Sequence, residues 1–176
     1  FLQRWNGCYA LNNNLHVFGA RDAPPNQSLD QWNRADGWRQ SFGVGLEGIF
    51  FFAESGFGDQ FGYRKDGKIV SLHAFEGRIE RIASGFAEWL EFVFLEPARF
   101  LHAELFESCV QAQGPLPFGG HFVPDPQTFE STGTVDPRRV SVMPSRDSME
   151  LKGASSMTRP PASLTAWSAR PQSATR

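Results

Sequence analysis

Residues 46–75 decide the fold and read LEGIFFFAESGFGDQFGYRKDGKIVSLHAF. The first part, residues 46–54, is apolar and aromatic on both alternating faces. That pattern is typical of a central strand covered on two sides. A glycine-rich turn at residues 55–58 then reverses the chain into a second strand, over residues 59–64, in which Phe61 and Tyr63 alternate with polar neighbours. Two adjacent antiparallel strands are therefore predicted.

The hairpin signal Asp66-Gly67 continues this pattern, because a two-residue Asp-Gly turn favours the twist of antiparallel strands. It leads into a third predicted strand over residues 68–75. Another turn at residues 76–77 precedes a short candidate strand over residues 78–82. Together these segments predict a mainly antiparallel sheet, a meander of between three and five strands. An upstream strand is predicted at residues 15–18.

Helical periodicity begins after the meander. Ser84 is predicted to cap a helix whose buried stripe has 3.6-residue spacing. The stripe consists of Phe86, Trp89, Leu90, Val93 and Phe94. Pro97 suits the first turn of a second helix, extending to about residue 113. Its inward side chains are predicted to be Phe100, Leu101, Leu105 and Cys109.

The remaining segments complete an α+β domain flanked by helices. Ser28 is predicted to cap a helix through about residue 40 that buries Leu29 and Trp32. We expect the domain to span residues 1–125, with its first helix truncated so that only residues 1–5 remain. Residues 126–153 are predicted to be extended and turn-rich, with an edge strand at Val140 and Val142. Residues 154–176 have the composition of a disordered tail.

Charge is divided unevenly along the chain. Residues 1–130 contain 10 Lys and Arg against 16 Asp and Glu, a net charge of −6, whereas residues 131–176 have a net charge of +4. An acidic body disfavours nucleic-acid binding, which needs a basic face, and favours a basic protein partner. No apolar run is long enough to span a membrane. The two cysteines lack the spacing of a disulfide framework or zinc site, which favours a reducing cytoplasm.

Motifs for catalysis or cofactors have little support. Residues 43–48 match G-x-G-x-x-G, but they precede a predicted strand instead of opening a helix, so we interpret them as a turn and predict no cofactor. The four histidines are scattered, without the spacing of a metal site. Glu54 and Asp59 flank a glycine-rich turn, where an aspartate commonly bonds its own backbone. The sequence therefore predicts a protein that is not an enzyme.

Acidic side chains along the meander are the candidate partner-binding residues. They could belong to a solvated surface, which is the usual position of such charges, or they could attract a basic protein by electrostatic steering. The candidates are Glu47, Glu54, Asp59, Asp66, Glu76 and Glu80.

Residues 48–90 resemble the SUKH superfamily. The resemblance is carried by the apolar strand at residues 48–53, the ESGFGDQF turn at residues 54–61, the DGKIV hairpin at residues 66–70 and the SGFAEWL helix start at residues 84–90. The pair Asn6-Gly7 is similar to the asparagine–glycine pair near the start of these domains. The resemblance implies an α+β fold with an antiparallel sheet and helices.

The resemblance also implies a function in binding. Bacterial SUKH members are mostly immunity proteins that bind toxins, often nucleases, and eukaryotic relatives are regulators or scaffolds. We therefore expect a cytoplasmic protein that neutralises a basic toxin domain. A regulatory adaptor with the same fold is one alternative. A hydrolase using Glu54, Asp59 or His73 is another, and it would require a pocket that holds those groups together.

Overall fold

The computed structural model describes residues 6–20, 28–125 and 134–158. Six strands in these ranges form one antiparallel sheet, in which spatial order follows chain order. The strands are β1 (Cys8–Ala10), β2 (Leu15–Val17), β3 (Ile49–Ser55), β4 (Gln60–Arg64), β5 (Ile69–His73) and β6 (Arg78–Ala83). Helices flank this sheet, so the α+β antiparallel meander is confirmed, with one strand more than the largest number expected.

The central strand β3 pairs with β2 and β4 and contributes to hydrophobic cores on both faces of the sheet. Phe51 belongs to one core cluster, and Phe52 belongs to the other. A register shift between Phe51 and Ala53 lets Ala53 join Phe52 in the second cluster; such bulges locally disrupt strand alternation. Phe50 is 43% exposed, so the prediction of complete cover on both faces is wrong at the start of the strand.

The glycine-rich residues 43–48 form the entry to β3, as predicted. They overlap the end of a 3₁₀ segment, Trp38–Leu46. Gly43 and Gly48 have φ values of 67° and 72°, a region that glycine adopts at little steric cost. The interpretation of this motif as a turn entering the sheet is confirmed.

The first helix is much shorter than predicted. Ser28 is the N-cap of α1 (Leu29–Trp32), and its hydroxyl accepts a hydrogen bond from the Gln31 N–H. The helix stops at Asn33 instead of continuing to about residue 40. The Asn33 side chain donates to the Phe51 carbonyl and accepts from the Phe51 N–H, both at 2.7 Å. These bonds fix the chain to the edge of β3 at the point where the helix ends.

Three helices follow the meander: α2 (Phe86–Leu95), α3 (Pro97–Leu101) and α4 (Ala103–Gln113). The single helix predicted from Pro97 is divided because His102 has a left-handed conformation, with φ of 50°. A right-handed α-helix does not include a residue in this left-handed conformation, so the helical hydrogen bonds are interrupted at His102.

The start of α2 also differs from the prediction. Gly85 occupies the N-cap, while Ser84 donates hydrogen bonds to the Glu88 carboxylate through its N–H and its hydroxyl. Of the predicted stripe, Trp89 and Val93 are fully buried. Leu90 and Phe94 were predicted to be buried but are exposed to solvent.

The C-terminal part of the described chain is more structured than the sequence predicted. The edge strand at Val140 is confirmed as β8 (Val140–Pro144), which pairs with β7 (Gly120–Pro124) in a separate two-stranded sheet. A 14-residue helix follows, α5 (Ser145–Thr158). The prediction of an extended segment through residue 153 is therefore wrong from Ser145 onward.

The helix α5 packs on the 3₁₀ segment and belongs to the domain. Met149 is fully buried in the core cluster that contains Trp38 and Phe42. Gly153 lies so close to the 3₁₀ segment that an added Cβ would be 2.6 Å from the Ser41 Cβ. The domain thus extends through residue 158 and does not end near residue 125.

Some predictions fall outside the described residues. They are the helix end at residues 1–5 and the part of the predicted tail beyond residue 158. In the ranges that the structure describes, no helix has the length and apolar character needed to cross a bilayer. The thiols of Cys8 and Cys109 are both free.

Candidate functional site

The six predicted partner-binding carboxylates divide into two groups. Glu54 is 2% exposed and lies inside the protein, whereas Asp59 is 8% exposed and lines a cleft. The burial of Glu54 does not fit its prediction as a surface contact residue, and Asp59 is accessible only from that cleft. The other four are wholly or partly accessible: Glu47, Asp66, Glu76 and Glu80.

The surface of the meander is not acidic overall. Glu76 and Glu80 both form ion pairs with Arg78, at 2.9 Å and 2.8 Å. The Asp66 carboxylate accepts the Lys68 N–H within the hairpin turn. Residues 64–81 carry five Lys and Arg against three Asp and Glu. The charge that could attract a basic partner must therefore lie elsewhere.

Glu54 is the centre of a buried polar network. Its carboxylate lies 3.0 Å from His16 Nδ1 and 3.1 Å from His121 Nε2. It also accepts hydrogen bonds from the Gln60 amide at 3.1 Å and from the Ser145 hydroxyl at 3.3 Å. Burial alone would raise the pKa of Glu54, but the two histidines outweigh it and lower the pKa well below its usual range.

The network reaches α5 through Ser148 and Lys152, which are one helical turn apart. The Lys152 ammonium donates to the Phe57 carbonyl at 2.6 Å and to the Ser148 hydroxyl at 2.7 Å. His121 Nδ1 lies 3.1 Å from that hydroxyl. We call these groups the Glu54 network, and its members are His16, Glu54, Gln60, His121, Ser145, Ser148 and Lys152. All are at most 2% exposed.

Burial shifts two basic groups of the network, Lys152 and His121, toward their neutral forms. It lowers the pKa of Lys152 to about 7, although Asp59 and Glu54 oppose that shift. It also lowers the pKa of His121, again against the attraction of Glu54. Desolvation disfavours a charged amine or imidazole in this way. The network thus combines a carboxylate whose charged form is favoured with an imidazole, His121, and an amine, Lys152, whose neutral forms are favoured.

The glycine turn makes this arrangement possible. Gly58 has φ of 87°, and an added Cβ there would lie 2.6 Å from Lys152 Nζ and 2.8 Å from His121 Nδ1. Gly56 lies equally close to a core side chain, because its Cβ would be 2.4 Å from the Phe106 ring. Because glycine has no side chain, the turn leaves space for Phe106 beside Gly56 and for Lys152 and His121 beside Gly58.

Asp59 belongs to a separate open cleft of about 390 Å³. Its carboxylate accepts the Ala74 N–H at 2.9 Å and lies 3.5 Å from His102 Nε2 and 3.8 Å from His73 Nδ1. Burial would raise the pKa of Asp59, but the two histidines and the Ala74 N–H lower it to about 2. His73 also lies 3.4 Å from the Glu80 carboxylate.

The fold therefore groups the four histidines into two pairs around carboxylates that the sequence placed only five residues apart. His16 and His121 flank Glu54, whereas His73 and His102 flank Asp59. Sequence spacing could not predict this grouping, because His16 and His121 are 105 positions apart in the chain. Among the described residues, no cluster of histidine, cysteine and carboxylate side chains is arranged to hold a metal ion.

The arrangement only partly meets the requirement of the hydrolase alternative. Asp59 and His73 line the same cleft, but Glu54 lies in the closed network and is 2% exposed. A carboxylate beside an imidazole in a cleft is chemically capable of proton transfer. The Glu54 network is enclosed instead, and its groups hold β3, β7 and α5 together.

The pKa of Lys152 leads to a pH prediction. Between about pH 7 and pH 9, the free energy of unfolding should rise by about 2 kcal/mol. The unfolded chain keeps an amine pKa near the ordinary 10.5 and stays protonated, whereas the folded state, with its lower pKa, releases the proton. Since the folded pKa is depressed for a base, stability increases with pH across this window. Urea denaturation at several pH values measures the slope.

Lys152→Met is the control for this prediction, because the variant has no amine to titrate. The free energy of unfolding of this variant should rise much less between pH 7 and pH 9 than that of the unmodified protein. An undiminished increase in Lys152→Met would contradict the assignment to Lys152. The window ends at pH 9, the usual thiol pKa, because ionisation of the unfolded Cys8 and Cys109 thiols increasingly opposes the rise above it.

Acidic charge is concentrated on the helices instead of the meander. Residues 86–113, which comprise α2, α3 and α4, carry five glutamates and a single arginine, with no lysine or aspartate. The glutamates are Glu88, Glu91, Glu96, Glu104 and Glu107, and all except the half-buried Glu88 are exposed. Arg99 is paired with Glu96 at 3.3 Å. We call this part of the surface the acidic helical layer.

No family model matches the chain, and no curated protein matches it. Among solved structures, the chain is similar to the crystal structure of Atu4351 from Agrobacterium tumefaciens, with a TM-score of 0.55 and 12% sequence identity. The match covers 84% of this chain and 70% of that chain. At this identity the likeness concerns the fold alone, and it extends to most of the α+β domain described above.

Proposed function

We propose that this protein is a non-catalytic cytoplasmic binding protein that neutralises a basic toxin domain by direct contact, in the manner of SUKH immunity proteins. The acidic helical layer is the observation that carries the proposal. Five glutamates against one arginine give residues 86–113 a net charge of −4. Such a surface attracts a positively charged protein and disfavours a nucleic acid.

In this proposal the Glu54 network has a structural role, which is to keep the domain rigid. Its ionisable groups already contact one another or the backbone, and they are closed to solvent. Buried polar networks of this kind stabilise one arrangement of the elements that they join, provided that their members have partners. A rigid domain loses less conformational freedom on binding, so it suits a protein that must bind tightly.

A binding experiment tests the proposal. The probe is the product of the neighbouring gene, which the proposal expects to be a toxin domain and which carries an inactivating substitution. Association is followed by stopped-flow fluorescence. We expect tight binding and an association rate constant that falls at least about tenfold from low to high salt. Salt screens the attraction between exposed charges, so a steered association must slow.

Two sets of substitutions identify the surface carboxylates that accelerate association. Replacing Glu91, Glu104 and Glu107 together with glutamine should slow association severalfold at low salt. Replacing Glu47 and Asp66 with their amides should leave the rate nearly unchanged, because the meander is already rich in cations. An association rate that does not vary with salt, or equal slowing by both sets, would contradict steering by the acidic helical layer. Absence of binding would contradict the proposed function.

A regulatory adaptor with the same fold remains the alternative within the class of binding proteins. It would bind host proteins through the same surface, and the neighbouring gene would encode no toxin. A cell-protection assay distinguishes the two proposals, because an adaptor would not protect cells from the toxin domain. Protection of cells that express the active toxin therefore supports the immunity function directly.

The cleft around Asp59 supports a second candidate function, hydrolysis. The observation in its favour is the placement of Asp59 between His73 and His102 at the wall of a cleft. It predicts turnover of a phosphodiester, ester or peptide substrate that disappears in His73→Asn. Equal rates for His73→Asn and the unmodified protein would remove this candidate.

A further inference from the structure

The outer face of α2 is apolar and open to solvent. Leu90, Phe94 and Leu95 are 39%, 50% and 71% exposed, whereas Trp89 and Val93 on the inner face are fully buried. Leu90 and Phe94 are four residues apart and therefore adjacent on one side of the helix. We call these three exposed side chains the α2 patch. Grouped exposed apolar residues commonly mark interaction sites, while single ones are normal.

Carboxylates border the α2 patch. Glu91 follows Leu90 along the helix, and Glu96 follows Leu95; both are exposed. The nearby cation, Arg99, is paired with Glu96 and lies 4.9 Å from the centre of the Phe100 ring. An apolar centre with a polar, charged border is the general anatomy of a protein interface.

The charge of this border indicates the kind of occupant. A second copy of this chain docked on the same patch would bring the glutamates of both copies together, and like charges across an interface disfavour association. A basic domain would instead place lysine or arginine against them. A neutral apolar partner would leave the carboxylates desolvated without partners, which costs free energy. Charge complementarity thus favours a basic protein.

We propose that the α2 patch is the docking surface for the basic toxin domain, with Phe94 and Leu95 inserted into an apolar depression that lysine and arginine border. This inference rests on the proposed function and assigns its contact surface. Phe94 is the principal anchor, because a large aromatic side chain contributes the most buried area when it enters a pocket. A few such residues carry most of the binding energy in a typical interface.

The test compares two double variants by calorimetry with the inactivated toxin domain from the neighbouring gene. Phe94→Ala with Leu95→Ala should weaken the affinity at least about thirtyfold, as expected for central anchor residues. The matched control is Val142→Ala with Leu151→Ala. These side chains are similarly exposed, at 46% and 42%, but lie on β8 and α5. The control should change the affinity less than about threefold.

The outcomes separate this inference from the proposed function. If the unmodified protein binds and both double variants bind equally well, the α2 patch is not the docking surface, although the binding function stands. If the unmodified protein does not bind, both proposals fail. Sedimentation velocity provides a second test. A dimer that dissociates in Phe94→Ala with Leu95→Ala would overturn the inference, because the patch would then be occupied by a second copy.

Discussion

Replacing Glu54 with glutamine is expected to lower the free energy of unfolding by about 3 to 5 kcal/mol, the range found when one partner of a buried ion pair is removed. Glu54 accepts hydrogen bonds from Gln60 and Ser145 and lies within 3.1 Å of His121. A glutamine of similar size keeps only one acceptor oxygen, so either the Gln60 amide or the Ser145 hydroxyl loses its acceptor. The loss therefore combines a missing charge with buried groups left unpaired.

Chemical denaturation of Glu54→Gln at neutral pH measures this effect. The matched control is Glu80→Gln, which removes a carboxylate whose side chain is 48% exposed and pairs with Arg78. Its cost should stay below about 1 kcal/mol, as for other surface ion pairs. Similar losses in the two variants would show that the Glu54 network contributes no more than a surface pair, and would contradict its role in holding the fold.

The stabilising effect of Glu54 should also depend on pH. Its pKa is lowered in the folded state, so its contribution is complete above the ordinary pKa of 4.5 and is lost as the pH falls below that value. His121 acts in the same direction at higher pH, because its lowered pKa lets the unfolded chain take up a proton first. The free energy of unfolding should therefore fall less steeply with decreasing pH in Glu54→Gln than in the unmodified protein.

Replacing Gly58 with alanine is expected to lower the free energy of unfolding by about 3 kcal/mol or more. A residue with a side chain at φ of 87° has a conformational cost of roughly 1–2 kcal/mol. The added Cβ would also lie 2.6 Å from Lys152 Nζ and 2.8 Å from His121 Nδ1. Lys152 would have to move from its hydrogen bonds with Phe57 and Ser148, and overpacking of a core adds its own cost.

Gly67→Ala is the control that separates the two causes. Gly67 has φ of 77°, close to that of Gly58, but an added Cβ there would have no neighbouring atom within 4 Å. Its substitution should therefore cost only the conformational part, about 1 to 2 kcal/mol. The additional loss of unfolding free energy in Gly58→Ala, compared with Gly67→Ala, measures the cost of the close contact with the Glu54 network. Equal losses would mean that Lys152 moves aside at no cost.

Local patterns in the sequence predicted the meander well. The strands β3, β4 and β5 are joined by short turns, and their partners are close in the chain, so alternation and turn chemistry together indicate the pairing. The glycine-rich residues 43–48 were interpreted correctly for the same reason. The ends of helices were predicted less well, because α1 ends where Asn33 bonds with Phe51, a contact with a residue 18 positions away.

The helix α5 shows why the C-terminal part escaped prediction. Its sequence, SRDSMELKGASSMT, lacks a continuous apolar stripe. It packs through Met149, the small residue Gly153 and the buried Lys152, and a lysine usually indicates a surface position. Only the carboxylates and carbonyls brought together by the fold make that position favourable for an amine.

The candidate surfaces show the same difference between what local sequence predicts and what tertiary packing decides. The sequence determined the overall acidity, the antiparallel sheet and the turn that carries Glu54 and Asp59. Tertiary structure decided that these two carboxylates are buried, that histidines from distant segments surround them, and that Leu90 and Phe94 remain exposed. Composition and periodicity report which side chains can be buried. Burial itself depends on which other elements cover each face, and that is settled by packing between segments far apart in the chain.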